Sequence, residues 1–285
     1  PGSSLEHGVP VMSKDVVLLE RVGPVSYLTL NRPDSLNAVS EDLRLRFMEL
    51  IDEADADPES RVVVVRGAGR AFCAGYDIAG DDGGDQSWKT DPYVWRDYLH
   101  KCLEFEMRPM DISKPVIASV DGYAVGGGCE LAMFCDLTIC SVSSKFGEPE
   151  IRFSDAGPAM IMPFIIGHKR AREMLYMGDL IDAQTALACG MVNRVVPDDE
   201  LEDATRKYAE RLALIDPEAL TGTKLALRRG MEAAGIRTAL RAGVDVLAPM
   251  YAATTESGTT FEEITKKDGL RAALKWRQAQ FAPLP

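Results

Sequence analysis

Three consecutive glycines, Gly126, Gly127 and Gly128, sit in the stretch Asp121-Gly122-Tyr123-Ala124-Val125-Gly126-Gly127-Gly128-Cys129-Glu130, between the apolar runs 115–120 and 131–134. The pattern reads as a strand, a tight turn and the start of a helix. With no Cβ atoms at the turn, main-chain N–H groups at the helix start can approach a ligand oxygen closely. Such donors favour an oxygen that acquires negative charge. Glu130 lies within about the first turn of that helix, near enough for a carboxylate to work beside the same oxygen. A packing turn whose carboxylate is favoured by the helix dipole suits these residues equally well.

At 285 residues, 46% hydrophobic and 27% charged, the chain can bury a full core, as one large domain or a domain with an appendage. Its longest apolar runs, such as 62–65 and 115–120, are of strand length, far short of the roughly 20 residues that span a bilayer. No membrane span is expected. Residues 1–12 lack a charged start followed by an apolar core and are expected to form a tail outside the fold. The formal net charge of −12 opposes polyanion binding over most of the surface. Nucleic acid is therefore not an expected partner. Lys266, Lys267, Arg271, Lys275 and Arg277 are the only candidates for the basic stripe that RNA binding would need. Cys73, Cys102, Cys129, Cys135, Cys140 and Cys189 follow neither metal-ligand spacing nor a dense disulfide framework, which fits reduced thiols in a cytoplasmic protein. His7, His100 and His168 belong to no nucleophile elbow, zinc motif or phosphate loop, so triads and metal hydrolysis lose their support.

Taken in order, residues 15–21 and 24–30 predict two adjacent strands around Val22-Gly23. Ser40 is placed to cap a helix running to about Ala56, with Leu43, Phe47, Leu50 and Ile51 on one face. Residues 62–65 read as a strand buried on both faces, and 67–77 as a loop of small residues. A mobile flap is expected at 80–91, then a helix over 91–107 with Val94, Tyr98, Cys102 and Phe105 facing inward. A strand at 136–141 leads to Glu148-Pro149-Glu150. One helix and one returning strand would separate Glu130 from Glu150, so the two carboxylates can face one ligand, although a solvated loop charge like Glu148 suits Glu150 too. Helices are expected at 159–166, 169–177, 183–189, 200–215, 217–231, 236–247 and 262–281, with one strand at 191–196. Met160, Met162 and Phe164 suit either an apolar pocket or a packed helix.

Five ordered motifs carry a family resemblance. They are Asn31-Arg32-Pro33 with Leu36-Asn37-Ala38, Ala71-Phe72-Cys73-Ala74-Gly75 with Asp77, Gly126-Gly127-Gly128-Cys129-Glu130, Phe146-Gly147 with Pro149-Glu150, and 190–197. Together they resemble the enoyl-CoA hydratase/isomerase (crotonase) family from about residue 15 to the C-terminus. The resemblance implies an α/β fold: a spiral of strand-strand-helix turns over 13–200 and a helical region over 201–285 used to form a homotrimer or homohexamer. It implies an acyl-CoA substrate and no cofactor, coenzyme A entering as part of that substrate. It places oxyanion-hole amides at Tyr76 and Gly127, and a catalytic pair at Glu130 and Glu150. Substrate and CoA contacts fall on Arg32, Ala71, Ala74, Asp77, Ile78, Gly126, Lys275 and Arg277, with no metal ligand.

Attack at the β-carbon of a 2-enoyl thioester pushes charge onto the carbonyl oxygen, and losing one preorganised donor there typically costs about 3–4 kcal/mol. Hydration needs two further groups, one taking a proton from water and one protonating the α-carbon. By resemblance Glu130 activates the water and Glu150 supplies the proton, which points to an enoyl-CoA hydratase; an enoyl-CoA isomerase or CoA-thioester hydrolase is the alternative. Two departures from the family pattern stand out. Pro158 occupies a position where a glycine N–H would help to hold the water, so Gly157 takes over or the water is held differently. Asp34 and Ser35 replace a lysine-bearing pattern, which leaves phosphate contacts to Arg32, Arg66 or the last helix, whose basic face equally suits solvent. Asp155 is expected to cap a helix, and the bulk of Tyr76 to shape the acyl pocket.

Overall fold

The computed structural model describes residues 16–77 and 87–281. The tail at 1–12 and most of the expected flap lie outside the described residues. Strands β1 (Val17–Val22) and β2 (Val25–Leu30) pair as an antiparallel hairpin. Helix α1 (Glu41–Ala56) begins where the Ser40 hydroxyl accepts the Leu43 N–H, one of the donors a helix start leaves free.

A unit of strand, strand and helix then occurs three times. The first is β3 (Val62–Gly67), β4 (Ala71–Cys73) and α2 (Pro92–Asp111). The second is β5 (Val116–Val120), β6 (Tyr123–Val125) and α3 (Gly127–Phe134). The third is β7 (Leu137–Ser141), β8 (Lys145–Gly147) and α4 (Met162–Met177). Each turn adds one strand to each of two sheets, in the orders β1-β2-β3-β5-β7-β10 and β4-β6-β8-β9, where β9 is Ile181–Asp182 and β10 is Arg194–Val196. Pairing is parallel except for β1 with β2 and β8 with β9. That is the spiral expected from the sequence.

The larger sheet is covered on both faces, as its continuous apolar strands require. Val63, Val65, Leu28 and Ala118 face the main core, which also takes Phe47, Phe72, Phe105, Leu131 and Phe146. Val62, Val64, Tyr27 and Ile117 face helix α6 (Leu201–Ala213), which contributes Leu201, Ala209 and Ala213. Helix α5 (Ala183–Ala188) precedes β10, and α7 (Pro217–Ala233), α8 (Ile236–Tyr251), α9 (Glu256–Asp268) and α10 (Leu270–Gln278) complete the helical C-terminal region. Helix α7 docks through Lys224, whose Nζ donates to the carbonyls of Pro109 and Lys114 at 2.7 and 2.8 Å and to Asp136 Oδ2 at 2.7 Å. Asp136 Oδ2 also accepts the Val116 N–H at 2.7 Å, so the ion pair has its hydrogen bonds filled.

Several elements differ from the sequence expectation. The helices expected at 159–166 and 169–177 form one element that starts at Met162 and kinks at Gly167, whose φ of 77° breaks the helical path. The last expected helix starts earlier, at Glu256, and breaks at Gly269 with φ 86°. Two strands, not one, separate α3 from Glu150, because β8 joins the second sheet. Among the described residues, no helix is long and apolar enough to cross a membrane.

Candidate active site

Tyr76, Gly127 and Glu150 come two or three residues after β4, β6 and β8 respectively. Tyr76 forms an isolated bridge with Val39, held by the Val39 N–H to the Gly75 carbonyl at 2.8 Å and the Asp77 N–H to the Val39 carbonyl at 3.1 Å. Neither bond uses the Tyr76 amide. On the opposite side a Cβ built on Gly75 would lie 3.1 Å from the Val125 carbonyl and 3.7 Å from the Gly127 nitrogen, so the two loops pack backbone against backbone. Gly127 is the first residue of α3, where an N–H has no acceptor inside the helix. Gly126 before it adopts φ 57°, and a Cβ there would overlap Glu150 Oε1. Only glycine supplies both that conformation and that space.

Glu130, on the first turn of α3, is fully buried. Its Oε1 accepts the Ala159 N–H at 2.8 Å, and its Oε2 is buried without a hydrogen-bond partner. The amide beyond Pro158 is thus committed to Glu130. Gly157 lets the loop close, since a Cβ on it would come within 2.5 Å of Glu130 Oε1 and 2.7 Å of Glu148 Oε2. Burial, then the neighbouring Glu106 and Glu150, raise the proton affinity of Glu130 well above the ordinary carboxylate range. Burial likewise brings Glu150 to about 7, and its Oε2 has no partner.

Two further acids share this interior. Glu148 is only 2% exposed, with neither carboxyl oxygen partnered, which removes the solvated-loop reading of this segment. Glu106, on α2, is fully buried and accepts the Tyr76 hydroxyl on Oε1 at 2.6 Å. Burial dominates in raising both. Asp155 caps no helix; it is partly buried and brought to about 7 by desolvation. Glu106 had a visible cue, because it follows Tyr98 and Cys102 at successive four-residue steps on the inward face of α2.

The remaining expected contacts are placed as follows. The Arg32 guanidinium donates to the Ala38 carbonyl and pairs with Asp77 Oδ2 at 2.8 Å, so these two residues bind each other at the site's edge. Ala71 lies in β4, and the Ala74 N–H donates to the Leu36 carbonyl at 3.1 Å. Asn37 fastens this wall, its Nδ2 donating to the carbonyls of Ala68 and Ala71 at 2.9 and 2.7 Å. Ile78 lies outside the described residues. Lys275 is exposed, whereas Arg277 donates to the Arg152 carbonyl and stacks on Phe281, 5.2 Å from the ring centroid. Arg66 stacks on Tyr27 at 4.9 Å, on the sheet face covered by α6 and away from Glu130. Met162 is in the core, while Phe164 is exposed. Tyr76, Tyr98, Trp95 and Tyr251 form an aromatic wall with centroid separations of 6.5, 5.9 and 4.9 Å.

A family model described as enoyl-CoA hydratase/isomerase matches residues 20–268. The chain is 30% identical to a crotonyl-CoA hydratase of Syntrophomonas wolfei, over 95% of this chain and 99% of that protein. It is 33% identical to a probable enoyl-CoA hydratase of Rhizobium meliloti, again over 95% and 99%. A crystal structure of an enoyl-CoA hydratase/isomerase from Xanthobacter autotrophicus superposes with a TM-score of 0.89 at 36% identity, covering 94% of this chain and 99% of that one. Fold, motif order and these matches agree: the chain belongs to the enoyl-CoA hydratase/isomerase family.

Proposed function

We propose that the protein is an enoyl-CoA hydratase, adding water across the 2,3 double bond of a 2-enoyl-CoA to give a 3-hydroxyacyl-CoA. The observation that carries this reading is a pair of carboxyl groups, fully buried Glu130 and part-buried Glu150, each with a buried, unpartnered Oε2, beside the glycine turn at the head of α3. In this mechanism the amides of Tyr76 and Gly127 receive the thioester oxygen and stabilise the enolate. Glu130, anchored through Oε1 by the Ala159 N–H, takes the proton of water on Oε2 when ionised, a form that its raised proton affinity makes the scarcer one. Glu150, brought to about 7, is substantially protonated near neutral pH and delivers its proton to the α-carbon. Adding water changes no oxidation state overall, so the reaction draws on no redox cofactor.

The test is loss of enoyl absorbance on mixing with crotonyl-CoA. Glu130→Gln and Glu150→Gln should each lower turnover by about 10²–10⁴ while acyl-CoA affinity is largely kept. Wild-type turnover in either variant rejects the paired mechanism. Tight CoA-thioester binding with no hydration would turn the assignment to an isomerase or thioester hydrolase. We also infer a homotrimer or homohexamer, supported by α7, which buries none of its residues within the chain. A cytoplasmic setting is supported by six unpaired cysteines; recovery in a membrane fraction would reject it.

A further inference from the structure

Glu106 has no role in the two-glutamate mechanism, yet it lies inside the site. Its Oε1 would be 3.0 Å from a Cβ on Gly127, and the Tyr76 ring edge 2.6 Å from the same point, so both side chains cover the head of α3. Gly127 and Glu130 are three residues apart on α3 and share a face of it, so the Glu106 carboxyl beside Gly127 lies on the same side of that helix as Glu130. Each has an Oε2 that is buried and finds no donor. Two carboxylates cannot bond to each other, and two bare charges in contact in a dry interior are strongly disfavoured. A single proton between them satisfies both oxygens and removes one charge.

We propose that Glu106 is a positioning residue that shares one proton with Glu130, the Tyr76 hydroxyl occupying Oε1 so that Oε2 carries the shared proton. The arrangement orients the base and sets the acidity at which it becomes available. Other groups facing the pair are Glu148 and Glu150 from the segment after β8, Cys102 from α2, Cys73 at the end of β4, Cys129 from α3 and Tyr251 from α8. Arg44 of α1 acts on Tyr76 and Cys102. Glu148 and Glu150 add negative charge, and Arg44 is bound bidentately to Glu41, so the shared proton remains the direct way to remove one of the pair's charges.

The kinetic test rests on the hydratase reading. The acid limb of kcat/KM against pH reports protonation of the base in the free enzyme. In Glu106→Gln an amide donor replaces the shared proton, Glu130 ionises more readily, and the limb should move to lower pH by roughly one unit or more. In Tyr76→Phe the hydroxyl that stabilises the pair's negative charge is lost, the proton is held more tightly, and the limb should move up. A merely structural role predicts no such opposed shifts. The second readout needs no turnover: infrared difference spectra of the free enzyme at pH 7 and above should contain a carboxylic-acid carbonyl band that Glu106→Gln removes. Opposed limb shifts, or loss of that band, support the shared proton. Unmoved limbs together with an unchanged band overturn it, whereas the band without hydration of any enoyl-CoA overturns only the hydratase reading.

Discussion

At the residue scale, the site depends on what is missing from its side chains as much as on what is present. Gly157 is not held at a positive φ, so alanine there is conformationally ordinary; what alanine would strike is Glu130 and Glu148. Gly157→Ala is therefore expected to keep the fold while lowering kcat by about a hundredfold, the scale of loss when a reacting group shifts by about 1 Å. Steady-state kinetics beside a melting curve checks it, and an unaltered kcat would show that the loop gives way instead. Glu130 and Glu150 were legible in the sequence because motif order marked them. Glu148 was misread as solvated, because its neighbours Gly157 and Glu130 come from other segments that only folding brings together. Asp155 was misread for the same reason.

At the element scale, hydrophobic period and caps foretold the long units well: Ser40 caps α1, the helix expected over 91–107 forms as α2, and the 62–65 run is buried on both faces. The short strands β4, β6 and β9 were illegible, because two or three residues hold too little pattern to be told from loop. Helix α7 shows a different limit. Its inner side is anchored by Lys224 and by Arg228, which donates to the Asp111 carbonyl at 2.6 Å, while Leu227 is 67% exposed and Leu225 41%. An exposed leucine such as Leu227 suits contact between subunits. Light scattering should give three or six times the 31.1 kDa chain mass, and Leu227→Glu should shift the assembly towards single chains. A wild-type mass of one chain would refute the assembly.

At the scale of the whole molecule, the interior acids set how stability depends on pH. Glu150 and Asp155 rise from ordinary values of 4.5 and 3.8 to about 7, and burial pushes Glu106, Glu130 and Glu148 up as well. Between about pH 5 and 7 the folded chain thus binds more protons than the unfolded one, so stability falls as pH rises, by about 1.4 kcal/mol for each tenfold difference in a group's proton affinity. Surface acids such as Glu41 and Glu232 are lowered by Arg44 and Arg237, and their contribution is lost in the opposite direction, as pH drops below about 4. Melting temperature should accordingly peak at mildly acid pH and decline towards pH 8. Calorimetry showing the maximum at pH 8 would mean that the interior acids are charged.

The order β4-β6-β8 in the smaller sheet reaches beyond topology. Neighbouring strands sit about 4.7–4.9 Å apart because main-chain hydrogen bonds hold them there. Tyr76, Gly127 and Glu150 each come two or three residues after one of these strands, so the sheet serves as a ruler for the chemistry proposed there. Mutational drift in side chains can recolour each mark on it, changing which molecule is accepted, while leaving the graduations where the backbone put them.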